Sequence, residues 1–437
     1  MKRSKLFILS LATPMLLLGT LTSCNSTNVQ VKHEDFIKDT NFEYLYDVTY
    51  NNYSWTDVNE WLNSNAPNNE GASFGCSSVH NGNFYGRSFD FCYTDMNEFL
   101  IRTKHENGHY ASIGMAIGDC NVKDDNIQRI TSGTPNEKDK LIEKILPFTM
   151  VDGINENGVV CNTNVVPAKD LPAHQGEPGY FTHGTNPGAT DLFYQFMPRY
   201  ILDNAKNAKH AVELLRQHNL TAMNKKGEKR DFLGVSKMGY ELHCMIADRN
   251  DTFVVEMFND EFKVIDVYSD VMTNYYLSTP TPSGAGLERY ATLYDNYKKG
   301  ETLEGMEWLI HEVMYSPCYN PNWAGAEQYR CPVWPTEFAG CDIIDPYEGE
   351  IKLTFYNAAE WFRNNWTADI KNALQTAYNI AYNKGTRATE PGGAVPWIST
   401  HAEVFDIDNR TLHLVTQEKE KDIGGGQKGY DFKSYKL

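Results

Sequence analysis

Ser73–Phe91 reads SFGCSSVHNGNFYGRSFDF, and this stretch decides how the first strands of the catalytic region pair. Asn81-Gly82 at its centre is a strong signal for a β-hairpin with a two-residue loop. A loop formed by these two residues pairs His80 with Asn83 across the hairpin.

The same register sets Cys76 directly opposite Arg87. Directly opposed side chains on antiparallel strands project to one face, with their Cβ atoms about 4.5–5.5 Å apart. A guanidinium beside a thiol favours the thiolate, which is the nucleophilic form of cysteine. A buried cysteine beside a surface arginine would fit the pairing equally well, so this pair alone does not establish a reactive site.

The residue before Cys76 adds a second indication of chemistry. Gly75 is small, and a polar stretch lies upstream of it. If the Gly75–Cys76 peptide bond is cut, Cys76 gains an α-amine, whose reference pKa of about 7.7–8.0 suits a general base at neutral pH. Nucleophile and base then belong to one residue. The sequence therefore predicts that Gly75 marks a processing site.

Composition limits the classes of function. The chain has 437 residues, of which 41% are hydrophobic and 22% charged, and this is ordinary globular composition. The formal net charge of −17 argues against nucleic acid as a partner, because phosphate binding rewards a basic surface.

The first 24 residues resemble an export signal. Lys2, Arg3 and Lys5 precede an apolar run that contains Pro14 and is short for a membrane span. The run ends in LTSC, which resembles a bacterial lipobox, so we expect Cys24 to be lipidated after cleavage. The alternative is a plain secretory signal. Either reading places the protein outside the cytoplasm, in the periplasm or at the cell surface.

The nine cysteines do not form a metal-binding pattern, because no two of them stand in a C-x-x-C pair. Cys92, Cys161 and Cys244 lie in apolar, strand-like runs and are expected to be buried thiols. The disulfide pattern among Cys318, Cys331 and Cys341 is left open, since connectivity cannot be derived from sequence.

Three regions follow from the pattern along the chain. Residues 1–24 are the signal, and residues 25–75 are polar enough to suggest a pro-segment or an N-terminal cap outside the core. Residues 76–437 then alternate between antiparallel strand patterns and helical ones. Predicted turns include 155–158 and 408–409, and predicted helices cover 191–205, 208–218, 303–315 and 370–383. Two groups of strands separated by helices indicate a layered α+β domain.

Several motifs, in order along the chain, resemble those of the choloylglycine hydrolase and penicillin V acylase family, within the N-terminal-nucleophile (Ntn) hydrolases. Residues 86–90, GRSFD, resemble that family's G-R-N-M-D segment after its cysteine. Residues 152–167, DGINENGVVCNTNVVP, resemble its D-G-M-N-E-K-G-L segment, and the MTNY and LERY stretches at 272–275 and 287–290 resemble later motifs. MTNY and the long pro-segment are also similar to acid ceramidase.

The resemblance implies a four-layer αββα sandwich of two antiparallel sheets that needs no cofactor or metal. It implies Cys76 as nucleophile and base, Arg87 as the residue that holds and acidifies the thiol, and Asp90 as the holder of the α-amine. Asn274 through its side chain and Asn164 mainly through its backbone N–H would stabilise the oxyanion, and Arg289 would add positive charge. Asn162, two residues away on the same strand face, competes with Asn164.

The spacing of Arg87 and Asp90 departs from a regular strand. Residues three apart on a strand point to opposite faces. Both side chains can serve one site only if the strand bulges at Ser88-Phe89, or if Asp90 reaches the amine from the strand end.

The expected function is that of an exported, self-processing amidohydrolase of linear C–N bonds. Its small-molecule substrates would be bile salt conjugates, N-acyl amino acids, fatty amides or penicillin V-like amides. The membrane would be involved only through the lipid anchor, and a homo-oligomer is left open. Three alternatives are an acyltransferase of the same fold, a non-catalytic ligand-binding lipoprotein, and a papain-like protease, for which no histidine stands in a fitting context.

Overall fold

The computed structural model describes residues 36–64, 74–91, 97–117, 124–167, 189–231, 240–258, 261–266, 270–277, 289–313, 398–416 and 421–437. Positions 43, 106, 107, 223, 227, 229, 291, 292, 295, 312, 425, 426, 430 and 431 within these ranges are not described. All described residues fall in one compact unit, Val31–Leu437. The predictions for the signal, Cys24, Cys92, the helix at 370–383 and the cysteines at 318, 331 and 341 lie outside the described residues.

The described residues form two large sheets. The larger has nine strands in the order β1-β2-β5-β6-β7-β8-β11-β12-β13, and the smaller has six in the order β14-β3-β4-β15-β16-β19. Two further strand pairs, β9–β10 and β17–β18, stand apart from them. The bounds are β1 Phe36–Lys38, β2 Leu45–Tyr50, β3 Phe74–Asn81, β4 Phe84–Phe91, β5 Glu98–Thr103, β6 Ser112–Ile117, β7 Asp152–Asn155, β8 Val160–Pro167, β9 Thr190–Phe193, β10 His218–Thr221, β11 Tyr240–Ala247, β12 Thr252–Phe258, β13 Glu261–Asp266, β14 Val271–Met272, β15 Ile398–Asp406, β16 Thr411–Thr416, β17 Lys421–Gly424, β18 Gln427–Gly429 and β19 Lys433–Lys436.

Six helices of eight or nine residues lie between the strands along the described part of the chain. Their bounds are α1 Trp55–Asn63, α2 Asp124–Thr131, α3 Glu137–Ile145, α4 Met197–Asn204, α5 Ala208–Arg216 and α6 Leu303–His311. The helix predicted for 191–205 begins only at Met197, after strand β9 and a short 3₁₀ segment, Tyr194–Phe196. Pro198 explains this boundary, because proline is tolerated in the first turn of a helix and not in its interior.

The layers follow from which side chains each sheet face buries. Leu100, Met115 and Met245 of the larger sheet share one buried cluster with Tyr85 and Phe405 of the smaller sheet, so the two sheets pack face to face. The opposite face of the larger sheet packs on helices α1 to α5 in a second cluster.

Helix α6 covers the outer face of the smaller sheet. It approaches β4 at Gly86, where an added Cβ would lie 2.6 Å from Ile310 Cγ1. Helix, sheet, sheet and helix therefore follow one another, which confirms the predicted α+β layering. One detail differs from the prediction: β2 pairs with β5 in parallel, so the larger sheet is not antiparallel throughout.

The hairpin at Ser73–Phe91 forms, but its predicted register is wrong by two residues. Asn81 pairs with Phe84, so the loop is Gly82-Asn83 and not Asn81-Gly82. Gly82 has φ +59°, as the first loop position of a type II′ turn requires, and glycine adopts this conformation at low cost. Cys76 is consequently opposite Phe89, and Arg87 is opposite Ser78.

The segment expected to lie outside the core is part of it. Strands β1 and β2 extend the larger sheet, and Val48, Tyr50 and Trp61 are at most 4% exposed. Asp203 in α4 accepts hydrogen bonds from the Tyr53 hydroxyl and from Trp55 Nε1, the latter at 3.1 Å. The apolar residues within 36–64 thus pack against the sheet and the helices.

Among the described residues, the longest helices have nine residues, and none has the length and apolarity needed to cross a membrane.

Candidate active site

Cys76 lies at the centre of a buried group of polar contacts. Its thiol is not in a disulfide, and the residue is 1% exposed. Its backbone N–H donates to Asn274 Oδ1 at 2.8 Å, and its carbonyl accepts from Arg289 Nη1 at 2.5 Å. Asn274 and Arg289, which lie 198 and 213 residues after Cys76 in the sequence, therefore meet at the main-chain atoms of the cysteine.

Arg289 ties this group together. Its Nη1 also donates to Ser77 Oγ at 2.7 Å, and its Nη2 donates to Asn274 Oδ1 at 2.6 Å. Asn274 Nδ2 in turn donates to the carbonyl of Val165 at 2.8 Å. Because an amide NH₂ carries two hydrogens, this bond uses only one of the donors of Asn274. The amide orientation is thus fixed on both sides, by Arg289 and by the end of β8.

The inner face of the smaller sheet presents ordered rows of side chains. Cross-strand pairing aligns Cys76, Phe89 and His401 in one row, and Ser78, Arg87 and Glu403 in the next; the first row continues from β3 through β4 to β15. Arg87 is therefore diagonal to Cys76 and not opposite it. The shift by two residues keeps both side chains on the same face, as the sequence analysis expected.

Arg87 turns toward the facing sheet. Its Nη1 forms an ion pair with Asp152, and its Nη2 donates to the Thr163 carbonyl at 2.8 Å. The guanidinium also lies 4.8 Å from the centroid of the Phe89 ring, the residue opposite Cys76. Arg87 thus places a fully buried positive charge next to the cysteine row, although its direct partners are Asp152 and Thr163.

A buried network extends from Arg87 to β15. His401 Nδ1 lies 2.6 Å from Glu98 Oε1, its Nε2 lies 3.5 Å from Asp152, and its ring stacks on Phe89 at 4.8 Å between centroids. Burial disfavours the charged imidazole, but the carboxylates of Glu98 and Asp152 outweigh this and raise the pKa of His401 to about 10. His401 is therefore an imidazolium at neutral pH.

The carboxyl groups of the network differ in charge. Burial works against the Asp152 carboxylate, yet the adjacent Arg87 lowers its pKa below the usual value. Burial raises the pKa of Glu403 well above its usual value, and the charge of Asp152 adds to this effect. Asp152 is thus the anion that Arg87 and His401 share, and Glu403 is held as the neutral acid.

Asp152, His401 and Glu403 also have the residue types of a metal site, with ligand atoms within 4.8 Å of one another. These groups already have protein partners: the Arg87 guanidinium forms an ion pair with Asp152, and His401 Nδ1 faces Glu98. The cluster is better described as an ion-pair network that holds Arg87.

Replacing His401 with Gln is expected to change the pH dependence of stability. The pKa is about 10 in the folded protein and about 6.5 in an unfolded chain. The stabilisation is then fully present below pH 6.5 and is lost as the pH rises through 10. Urea unfolding from pH 6 to 10 should show the free-energy difference between wild type and variant shrinking by several kcal/mol, at about 1.4 kcal/mol per pKa unit. A constant difference over that range contradicts the assigned imidazolium.

The two candidate asparagines of β8 have different positions. Asn164 Nδ2 lies 3.3 Å from Ser78 Oγ and 3.3 Å from the carbonyl oxygen of Thr273, which is the residue that precedes Asn274. Asn162 donates to Asn164 Oδ1 at 2.7 Å and accepts from the Tyr85 hydroxyl. Asn164 is therefore the member of the pair that borders the Asn274 segment, and Asn162 supports it.

Asp90 and Gly75 are cross-strand partners through their backbones, next to the predicted cleavage site. The side chain of Asp90 lies outside the described residues. Strand β4 runs without interruption opposite β3 from Phe84 to Phe91, so the bulge proposed at Ser88-Phe89 is wrong. The irregularity lies instead on β15, between Ser399 and His401.

Sequence reasoning did not identify Asp152, His401 or Glu403 as part of the site. Asp152 opens the DGINENG motif, but nothing local reveals that its partner is on another sheet. His401 and Glu403 are two residues apart on a strand, which sets them on one face. Two ionisable residues on the same face of one strand, followed by the apolar Val404 and Phe405, were the available signal.

Comparison with known proteins gives a family match and distant structural likenesses. Residues 140–306 match the family of linear amide C–N hydrolases, choloylglycine hydrolase family. This match includes Asn164, Asn274 and Arg289, and Cys76 and Arg87 precede it. No curated protein sequence matches the chain.

Three solved structures have a distant likeness to this chain. A mutant of the conjugated bile acid hydrolase from Clostridium perfringens is 13% identical, with a TM-score of 0.37 over 83% of this chain and 97% of that one. A second variant of it is 14% identical, with a TM-score of 0.35 over 84% and 97%. Penicillin V acylase from Agrobacterium tumefaciens is 15% identical, with a TM-score of 0.33 over 78% and 82%.

Proposed function

We propose that this chain is a linear amide C–N hydrolase that works through a self-generated N-terminal cysteine. Its residues 140–306 match the choloylglycine hydrolase family of such enzymes. The observation that carries the proposal is the convergence of Asn274 and Arg289 on the backbone N–H and carbonyl of Cys76. A cysteine that only filled core space would not need two buried polar side chains at its own main chain.

Processing is the first step of the proposed mechanism. The Cys76 sulfur attacks the carbonyl carbon of Gly75, the C–N bond between the two residues breaks, and the nitrogen of Cys76 takes up a proton. Water then hydrolyses the resulting thioester, leaving a carboxylate on Gly75 and a free thiol on Cys76. Asn274 Oδ1, which now accepts from the peptide N–H, is in place to accept from the new α-amine.

Turnover repeats this chemistry on an external amide. The α-amine of Cys76 takes the thiol proton, and the thiolate attacks the substrate carbonyl carbon. The amine product leaves with a proton from the α-ammonium group, and water hydrolyses the acyl-thioester. The second N–H of the Asn274 amide supplies a donor for the oxyanion of each tetrahedral intermediate.

The charges around Cys76 suit this reaction. Arg87 and Arg289 are both at most 1% exposed, and a positive charge in a buried site favours a thiolate far more than one in water does. Asp152 and the network behind it hold Arg87 in this position. The two arginines differ in role. Arg289 contacts the main chain of Cys76, whereas Arg87 lies over the ring of Phe89 and acts on the thiol by its positive charge.

The proposed substrates are small N-acyl amides with an apolar acyl group. Candidates are bile salt conjugates, N-acyl amino acids, fatty amides and phenoxyacetyl amides. Export, with a lipid on Cys24, is part of the proposal. Cell fractionation of wild type and Cys24→Ser tests the export. Intact mass and palmitate labelling of the same fractions test the lipid, because only the wild-type chain should carry it.

Cys76→Ala is expected to abolish both processing and hydrolysis. Intact-mass measurement of the wild type should show a species that begins at Cys76, and the variant should show only the uncut chain. A panel of taurine, glycine, fatty-acyl and phenoxyacetyl amides, followed by product analysis with and without an added acceptor amine, then identifies the substrate and separates hydrolysis from acyl transfer. A fully active enzyme whose Cys76 is still joined to Gly75 would refute the proposal.

A further inference from the structure

The short segment Thr273–Leu277, which carries Asn274, is held at both ends by two buried side chains from the larger sheet. His243 Nε2 lies 2.8 Å from the Thr273 carbonyl at one end. Glu256 Oε1 accepts from the Leu277 backbone N–H at 2.7 Å at the other end. His243 and Glu256 stand on neighbouring strands, β11 and β12, and both are 0% exposed.

The hydrogen-bond chemistry of this pair defines its protons. A carbonyl oxygen only accepts, so His243 Nε2 carries a hydrogen and donates it to Thr273. His243 Nδ1 also faces Glu256 Oε1 at 3.3 Å, so the two side chains form a single linked unit across the two strands.

This unit is connected to the rest of the site. His243 is the cross-strand partner of Asn164, whose Nδ2 reaches the same Thr273 carbonyl at 3.3 Å. Tyr275 and Tyr276, inside the held segment, are at most 1% exposed. The segment is thus fixed at its ends by hydrogen bonds and in its middle by packing, and the Asn274 amide can reach Cys76 and Arg289 from one defined direction.

We propose that His243 and Glu256 are positioning residues for Asn274. They touch neither Cys76 nor its Arg289 partner in the described contacts, and they set the direction of the Asn274 amide through the backbone of residues 273–277. The inference rests on the proposed function for its catalytic consequence, because Asn274 must act on the oxyanion for its direction to matter. Errors of about 1 Å in such a group are costly to turnover.

The test compares two reactions of the same thiol in purified, processed enzyme. Amide hydrolysis needs an oxyanion donor, whereas alkylation of Cys76 by iodoacetamide is a direct displacement that forms no oxyanion. His243→Leu and Glu256→Met should lower kcat per titrated active site about 10- to 100-fold and leave the alkylation rate within about twofold, since one misplaced donor costs up to 10²–10³-fold. Equal losses in both reactions would overturn the proposal, because general damage to the site slows both.

Conservative variants and a double-mutant cycle sharpen the result. His243→Gln keeps a donor for Thr273, and Glu256→Gln keeps an acceptor for Leu277, so each should retain more activity than its apolar counterpart. If the apolar variants do not fold, His243→Gln and Glu256→Gln still test the proposal. Equal losses in the alkylation rate and in kcat in these variants would overturn it. On an Asn274→Ala background, His243→Leu should cause no further loss of kcat, and an additive loss contradicts the coupling.

Hydrogen exchange separates failure of this inference from failure of the proposed function. Mass-spectrometric exchange of the peptide that contains residues 273–277 should be faster in His243→Leu than in wild type, and β3 peptides should be unchanged. A wild-type protein that hydrolyses no amide through Cys76 refutes the proposed function alone, and the exchange result still decides whether His243 and Glu256 hold residues 273–277. Unchanged exchange at 273–277 in the apolar variants would overturn the inference by itself.

Discussion

A chain whose synthesis starts at Cys76 will not fold into an active enzyme, because residues 36–64 supply two strands and a helix to the domain. Strand β2 pairs along its whole length with β5, from Leu45 opposite Glu98 to Tyr50 opposite Thr103. Helix α1 covers the outer face of the larger sheet through Val58 and Trp61. Without this segment, β5 becomes an open edge and an apolar surface meets water.

The size of the effect follows from burial. Phe36, Val48, Tyr50, Val58 and Trp61 are each at most 7% exposed. Full burial of one large apolar side chain contributes about 1.5–3 kcal/mol, so five of them contribute roughly 10 kcal/mol. This equals the total stability of an ordinary domain, about 5–15 kcal/mol. Loss of the segment should therefore prevent folding and not merely weaken it.

Polar contacts make the loss larger. Asp203 accepts from Tyr53 and Trp55 of the segment and pairs with Arg199 at 2.6 Å inside α4. Removing the two donors leaves a buried ion pair with part of its hydrogen bonding gone, which costs about 1–3 kcal/mol for each unsatisfied group. The same contacts predict that residues 25–75 stay attached after the cut at Gly75.

Expression of residues 76–437 alone, compared with the full chain, measures this effect. We expect insoluble product from the short chain, and partial recovery when residues 25–75 are supplied from a second gene. Size-exclusion chromatography of the processed wild type should give both pieces in one peak that separates in urea. Full-length Cys76→Ala is the control, since it keeps the segment and should fold. A short chain with wild-type activity and melting temperature contradicts the expectation.

The hairpin shows what a sequence can predict and where it stops. The Asn81-Gly82 signal located the turn to within one residue. It missed the register because glycine took the first loop position, with φ +59°, and Asn83 took the second. The error is two residues, and side chains alternate with a period of two, so Cys76 and Arg87 kept a common face. A shift of one residue would have separated them.

Partners on the other sheet were beyond prediction. Arg87 binds Asp152, which is 65 residues later, and His401 reaches Glu98 across the sandwich. Such pairs depend on how two sheets face each other, and no local pattern encodes this. Cys161 and Cys244, by contrast, are buried as their apolar strands indicated. Strand patterns thus predicted burial well, and they could not predict which buried groups touch.

The packing of residues 36–64 was not predicted, for a related reason. Their polar composition pointed away from a core, although their few apolar residues recur at the spacing of a strand and a helix. Strands β1 and β2 mix buried residues with partly or fully exposed ones. A segment that adds to the edge of a sheet needs only half of its residues to be apolar, so average composition understates its role.

Asn274→Ala is expected to lower kcat by about 10²–10³-fold, the usual cost of removing one oxyanion donor, with KM changed by only a few fold. Alanine also removes Oδ1, the acceptor that faces the Cys76 nitrogen and Arg289 Nη2. The alanine variant alone therefore does not distinguish a donor to the oxyanion from a holder of the amine.

Asn274→Asp distinguishes the two roles. Aspartate keeps an acceptor for the Cys76 amine and forms an ion pair with Arg289, but it offers no N–H and adds negative charge where the oxyanion develops. If the amide donates to the oxyanion, the Asp variant should turn over at least as slowly as the Ala variant. If Asn274 serves only as the acceptor, Asp should approach wild-type kcat. Steady-state kinetics per titrated site decides this, with iodoacetamide alkylation and thermal unfolding as controls for an intact site. An Asp variant within a few fold of wild-type kcat would remove Asn274 from the oxyanion hole and leave Val165 and its neighbours in β8 as the segment to search for the donor.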